Sequence, residues 1–162
     1  MKTAVVVAIV AFSTACSGTN REERQATALR ERSSYCDEGA QQALAEIRET
    51  VRGVGPLVVV HKNPKRAFGS QLVGARVSVP AFKGVTQQWL ERALHCHQAQ
   101  VALDSSQASG ADPFWLPDSW VDIEVRPVEG GFDVELRGST AEDAERIYAR
   151  AMELKAHHAA AN

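Results

Sequence analysis

The sequence predicts an α+β domain, a two-layer sandwich in which a four-stranded antiparallel sheet carries two helices on one face. The expected order is β-β-α-β-β-α, a permuted ferredoxin-like arrangement, with an extra N-terminal helix. Three observations predict it. Three segments alternate apolar and polar residues, and three others repeat apolar residues every three or four positions. The stretches between them are rich in Gly and Pro. Strands with one polar face need a wet side, which leaves the helices to share the other.

Taken in order, Ala40, Leu44, Ile47 and Val51 mark the N-terminal amphipathic helix, and Gly53-Val54-Gly55-Pro56 is expected to stop it. Leu57 to Val60 is a β-branched run that reads as a buried strand, and His61 to Gly69 reads as a turn-rich loop. Val73, Ala75, Val77 and Val79 alternate with Gly74, Arg76 and Ser78, which marks a strand with one covered face. Thr86 is placed to cap a helix whose apolar stripe is Leu90, Ala93, Leu94, His97 and Val101, with Trp89 at its edge. A loop from Ser105 to Ser119 follows. Val121, Ile123 and Val125, then Phe132, Val134 and Leu136, form the two inward rows of a hairpin. A Gly130-Gly131 turn would set Val125 opposite Leu136, Glu124 opposite Arg137 and Arg126 opposite Glu135. Ser139-Thr140-Ala141-Glu142 has capping-box spacing and opens the last helix, with Ala144, Ile147, Ala151 and Leu154 inward.

The N-terminus carries a different signal. Lys2 precedes nine apolar residues, Ala4 to Phe12, far short of the roughly 20 that a membrane-spanning helix needs, so the segment reads as an export signal. Ser13-Thr14-Ala15-Cys16 resembles the lipobox of bacterial lipoproteins, with Ser13 standing where leucine is usual. The resemblance implies cleavage after Ala15, acylation of the Cys16 thiol and, from Ser17, the outer-membrane rather than the inner-membrane side of the periplasm. Ser13 and Ala15 also fit a plain signal-peptidase site, which would give a secreted or soluble periplasmic protein instead. The expected organisation is a signal peptide over 1–15, a lipidated polar tether over 16–34 that is either flexible or a weakly packed helix, an α/β domain over 35–156 and a disordered tail over 157–162.

The chain has 162 residues with 18 basic and 20 acidic side chains, and removing Lys2 with the leader deepens the negative balance. No basic face is available for nucleic acid. Of the three cysteines, Cys16 is assigned to lipid, which leaves Cys36 and Cys96 as a natural one-disulfide pair in an exported domain. The competing reading takes Cys96 and His97, joined by His61, as ligands of zinc or copper, or Cys96 as a redox thiol. Phe114, Trp115 and Trp120 crowd one loop and read either as partner anchors or as a lid on the core. His61, Lys62, Lys65 and Arg66 make a small basic cluster suited to an anionic lipid or cell-wall polymer, or to plain solvation. Of the carboxylates Asp122, Glu124, Asp133 and Glu135, two, Glu124 and Glu135, face arginines in the expected register, which keeps them ionised rather than poised for proton transfer. No phosphate loop, dinucleotide fingerprint, nucleophile elbow or zinc-protease pair occurs. The sequence therefore points to a non-enzymatic envelope protein without a cofactor, attached to the membrane by lipid and binding an envelope protein or polymer.

Overall fold

In chain order the elements are α1 (Thr19–Tyr35), β1 (Gly53–His61), β2 (Gly69–Pro80), α2 (Gln87–Leu103), a 3-10 turn at Ser105–Gln107, β3 (Asp122–Val128), β4 (Gly131–Arg137) and α3 (Ala141–Ala161). The structure is a computed structural model, and it describes residues 19–36, 50–61, 69–107 and 110–161. The strands form one antiparallel sheet in the order β1-β2-β4-β3. This is the order obtained when the last strand of a ferredoxin-like unit is moved to the front, as the sequence predicts. α2 lies against β3, and α3 lies against β2 and β1.

The alternating rows explain the packing. Ala75, Val77 and Val79 of β2, Ile123 and Val125 of β3, and Val134 and Leu136 of β4 are all buried beneath Leu90 and Leu94 of α2 and Ile147, Ala151 and Leu154 of α3. Each buried leucine- or valine-sized side chain contributes about 1.5–3 kcal/mol relative to exposure. α2 starts where Thr86 Oγ1 accepts the Trp89 N–H at 3.2 Å.

Several expectations are corrected. The hairpin turn is Glu129-Gly130, so Val125 lies opposite Val134, Glu124 opposite Glu135 and Arg126 opposite Asp133. Only Gly130 takes a positive φ, 77°, whereas the expected primed turn needs positive φ at both central positions. Gly131 belongs to β4, where a Cβ would overlap the Val79 carbonyl oxygen of β2. The two-residue difference preserves the inward rows, and the expected ion pairs survive on the diagonal, Arg126 to Glu135 at 3.5 Å and Arg137 to Glu124 at 3.6 Å.

The Gly53–Pro56 stretch is the beginning of β1 rather than a break, and Pro56 is accommodated because β1 is an edge strand. Leu57 is buried, but Val58, Val59 and Val60 are exposed, contrary to the reading of the run as a buried strand. The last helix is capped one residue later than expected, with Thr140 Oγ1 accepting the Asp143 N–H at 3.1 Å. The backbone stays helical through Ala161, where a disordered tail was expected, in keeping with the strong helix propensity of its alanines. The expected helix residues Ala40, Leu44 and Ile47 lie outside the described residues, whereas Val51 is buried in the core.

Of the two readings of the polar run, flexible or weakly packed helix, the described part from Thr19 is helical. α1 is docked on α2, with Ala28 fully buried, so one small buried residue in a charged run suffices for close approach.

Candidate functional site

The loop between α2 and β3 carries Phe114, Trp115 and Trp120, and it is tied down from Asp112 to Ser119. Asp112 is buried and bonds His97 Nε2 at 2.5 Å through Oδ2 while its Oδ1 accepts the Phe114 N–H at 3.0 Å. Arg150 of α3 donates to the Asp112 and Trp115 carbonyls at 3.2 and 2.7 Å, and Arg24 of α1 donates to the Pro117 carbonyl at 2.5 Å. Ser119 donates to Asp143 at 2.8 Å, and Asp118 pairs with Arg146, also at 2.8 Å. A loop held this way presents its side chains in one geometry, which removes an ordering cost from binding.

Phe114 is fully buried with Leu116 and Val121, so it belongs to the core and is not a partner anchor. Trp115 and Trp120 are half-buried, and they line two clefts that share Arg24, Ser119 and Trp120. The larger, about 600 Å3, lies between α1, the loop and the start of α3, with Glu23, Asp118, Glu142 and Asp143 against Arg24 and Arg146. The smaller, about 390 Å3, has Arg21, Arg24, Gln25, Trp115 and Trp120, with no carboxylate among its described lining residues. Both volumes fall in the range of ligand pockets.

Within the larger cleft Arg146 is clamped between Asp118 and Asp143, and these two hydrogen bonds raise its pKa. Arg146 in turn lowers the pKa of Asp118. Burial pushes the Asp143 carboxyl upward, but hydrogen bonds from Arg146 and Ser119 outweigh it and hold the group below its ordinary value. These carboxylates stay ionised and matched, which suits binding rather than proton transfer.

The Cys36 and Cys96 sulfurs lie 2.04 Å apart, a bonded distance, with the α-carbons 4.8 Å apart. Tyr35 and Cys36 pack with Trp89, Ala93 and Cys96 in a small second core. Beside it the His95 ring stacks on Tyr35 at 5.0 Å and bonds Glu31 at 3.3 Å. These contacts fix α1 on α2 and thereby place the wall that Arg21, Glu23 and Arg24 give to the clefts.

The bond to Cys36 removes Cys96 as a free thiolate, and His97 Nε2 is hydrogen-bonded to Asp112 Oδ2. Cys16, the side chain of His61 and the cluster Lys62, Lys65 and Arg66 lie outside the described residues.

The sheet's open face holds the four carboxylates singled out in the sequence. Glu135 bonds Arg76 at 2.9 Å and Arg137 at 2.7 Å, Ser78 donates to Asp133 at 2.6 Å, and Glu124 bonds Arg126 at 3.0 Å. Asp122 sits opposite Arg137.

The cleft residues that the sequence did not announce are Arg21, Arg24 and Gln25, which sit in a charged run indistinguishable from a tether. Asp112 was likewise silent, since nothing local marks a partner fifteen residues from His97. Comparison with protein-family models, with curated proteins and with solved structures gives no match for this chain.

Proposed function

We propose that this chain is an exported, lipid-anchored envelope protein that acts as a non-catalytic binding module. Its ligand surface is the pair of clefts around Trp120. The observation that carries the reading is the immobilised loop: two half-buried indoles held beside Arg21, Arg24 and Gln25 under a helix that is itself bonded down. Aromatic and arginine side chains fixed in a concave site are what binding hot spots are made of. The smaller cleft favours an anionic ligand with flat faces, as a carboxylated segment of an envelope polymer offers. The Cys36–Cys96 bond supports an oxidising compartment, and the lipobox-like Ser13-Thr14-Ala15-Cys16 supports attachment through Cys16 on the outer-membrane side.

Two measurements test the reading. Intact mass of membrane-extracted protein should show a chain that starts at Cys16 and carries acyl groups; a chain that retains residues 1–15 overturns the address. Titration with polygalacturonate, followed by tryptophan fluorescence, should give a saturating change that neutral dextran does not. Arg21→Gln should weaken the response by about tenfold, the scale of one charge-assisted hydrogen bond. An equal response to both polymers, or to neither, overturns the ligand assignment.

A further inference from the structure

The two clefts around Trp120 carry opposite charge, and the helical geometry of α1 is the reason. Successive helix residues are about 100° apart, so Arg21 and Glu23 point to opposite flanks of α1. Gln25 and Thr27, one turn further on, repeat the two directions. Arg21 and Gln25 accordingly line the smaller cleft, Glu23 and Thr27 line the larger, and Arg24, between the two directions, lines both. In the larger cleft Glu23, Asp118, Glu142 and Asp143 stand against Arg24 and Arg146, an excess of negative charge. In the smaller, Arg21 and Arg24 meet no carboxylate among the described lining residues. Asp118, Arg146 and Asp143 are matched among themselves. Glu23 and Glu142 on one side and Arg21 on the other remain exposed, with no hydrogen bond or ion pair among the described residues.

We propose, resting on the reading of these clefts as the ligand surface, that they take one ligand between them: a short peptide with free ends. Its carboxylate lies at Arg21 and its ammonium at Glu23 and Glu142. The clefts adjoin at Arg24, Ser119 and Trp120, so a chain that passes over the Trp120 indole has one end in each. A helix with its side chains is about 10–12 Å across, which sets the separation of charge that opposite flanks of α1 select. Four extended residues span about 13–14 Å and cover it. A purely anionic ligand fills the smaller cleft and leaves Glu23 and Glu142 unmatched, whereas a purely cationic one leaves Arg21 unmatched. Between its two charges a peptide presents flat amides to the indoles of Trp115 and Trp120, and donors and acceptors to Gln25 and Thr27.

Titration of the full chain with tetra-alanine, followed by tryptophan fluorescence, tests this and should saturate below about 1 mM. Acetylating the amino end, or amidating the carboxyl end, should each raise Kd about fivefold, the upper end for one exposed ion pair. Glu23→Gln combined with Glu142→Gln should weaken the free peptide by the same factor and leave both the acetylated peptide and polygalacturonate unaffected. Arg21→Gln should weaken the free peptide and not the amidated one. All three side chains are exposed, so the substitutions leave the fold intact. No saturation up to about 10 mM, equal binding of capped and free peptides, or a glutamate variant that weakens acetylated and free peptides alike overturns the proposal. If polygalacturonate then still binds and depends on Arg21, the loss is confined to the peptide assignment. If polygalacturonate is silent as well, the clefts are not the ligand surface and both readings fall.

Discussion

Glu135 stands on the open face of the sheet, yet its side chain is only 3% exposed because Arg76, Arg126 and Arg137 close over it. Burial works against its charge, but hydrogen bonds from Arg137 and Arg76 hold the carboxyl below its ordinary value of 4.5. A depressed folded value brings stability that is present above about pH 4.5 and lost as pH falls through the folded value. Glu135→Gln should therefore cost about 1–3 kcal/mol at pH 7, less than a fully buried pair because the arginines reach water. Urea titrations should show the variant and the parent converging at acid pH, where both carry a neutral side chain. His95 behaves in the opposite sense. Burial would lower its pKa, but the hydrogen bond to Glu31 and the charges of Glu31 and Glu91 raise it above 6.5. The stabilisation it gives is complete below about pH 6.5 and is lost as pH rises through the raised folded value. Denaturation midpoints should fall over that window, and Glu31→Gln should flatten the trend.

At the scale of elements, α1 shows how a helix with almost no apolar stripe can still be structural. It is held by Ala28, by the His95–Glu31 contact, by Arg24 on Pro117 and by the Cys36–Cys96 bond. The bond spans 60 positions, and in the chain-entropy model closing such a loop is worth about 4 kcal/mol. Cys36→Ser with Cys96→Ser should lower unfolding free energy by about that amount. Reduction of the parent should raise acrylamide quenching of tryptophan fluorescence, because α1 no longer covers the Trp120 clefts. A silent quenching curve would mean that α1 stays docked without the bond. The hairpin carries the complementary lesson. A period of two says which residues face the core, and a two-residue displacement leaves that pattern unchanged. The turn at Glu129-Gly130 and the close approach of Gly131 to β2 decide between such registers. Neither is visible in the strand pattern alone.

At the scale of the whole molecule, the strand order β1-β2-β4-β3 was legible because alternation, helix period and element order all pointed to the same two-layer solution. The candidate site was legible only by halves. Trp115 and Trp120 drew attention as large rings in a loop, whereas Phe114 beside them went into the core. Arg21, Arg24 and Gln25 come from a segment more than ninety positions from Trp120, and only docking of α1 brings the two together. The sequence by itself determined the periodic elements, their inward faces and the pairing of Cys36 with Cys96 as an option, since these depend on local spacing and on a count of thiols. The tertiary structure alone decided the hairpin register, the exposure of Val58 to Val60, the engagement of His97 by Asp112 and the cleft walls. Each of those depends on which distant surfaces meet, and the free energy that selects them resides in packing between elements rather than in any one stretch of chain.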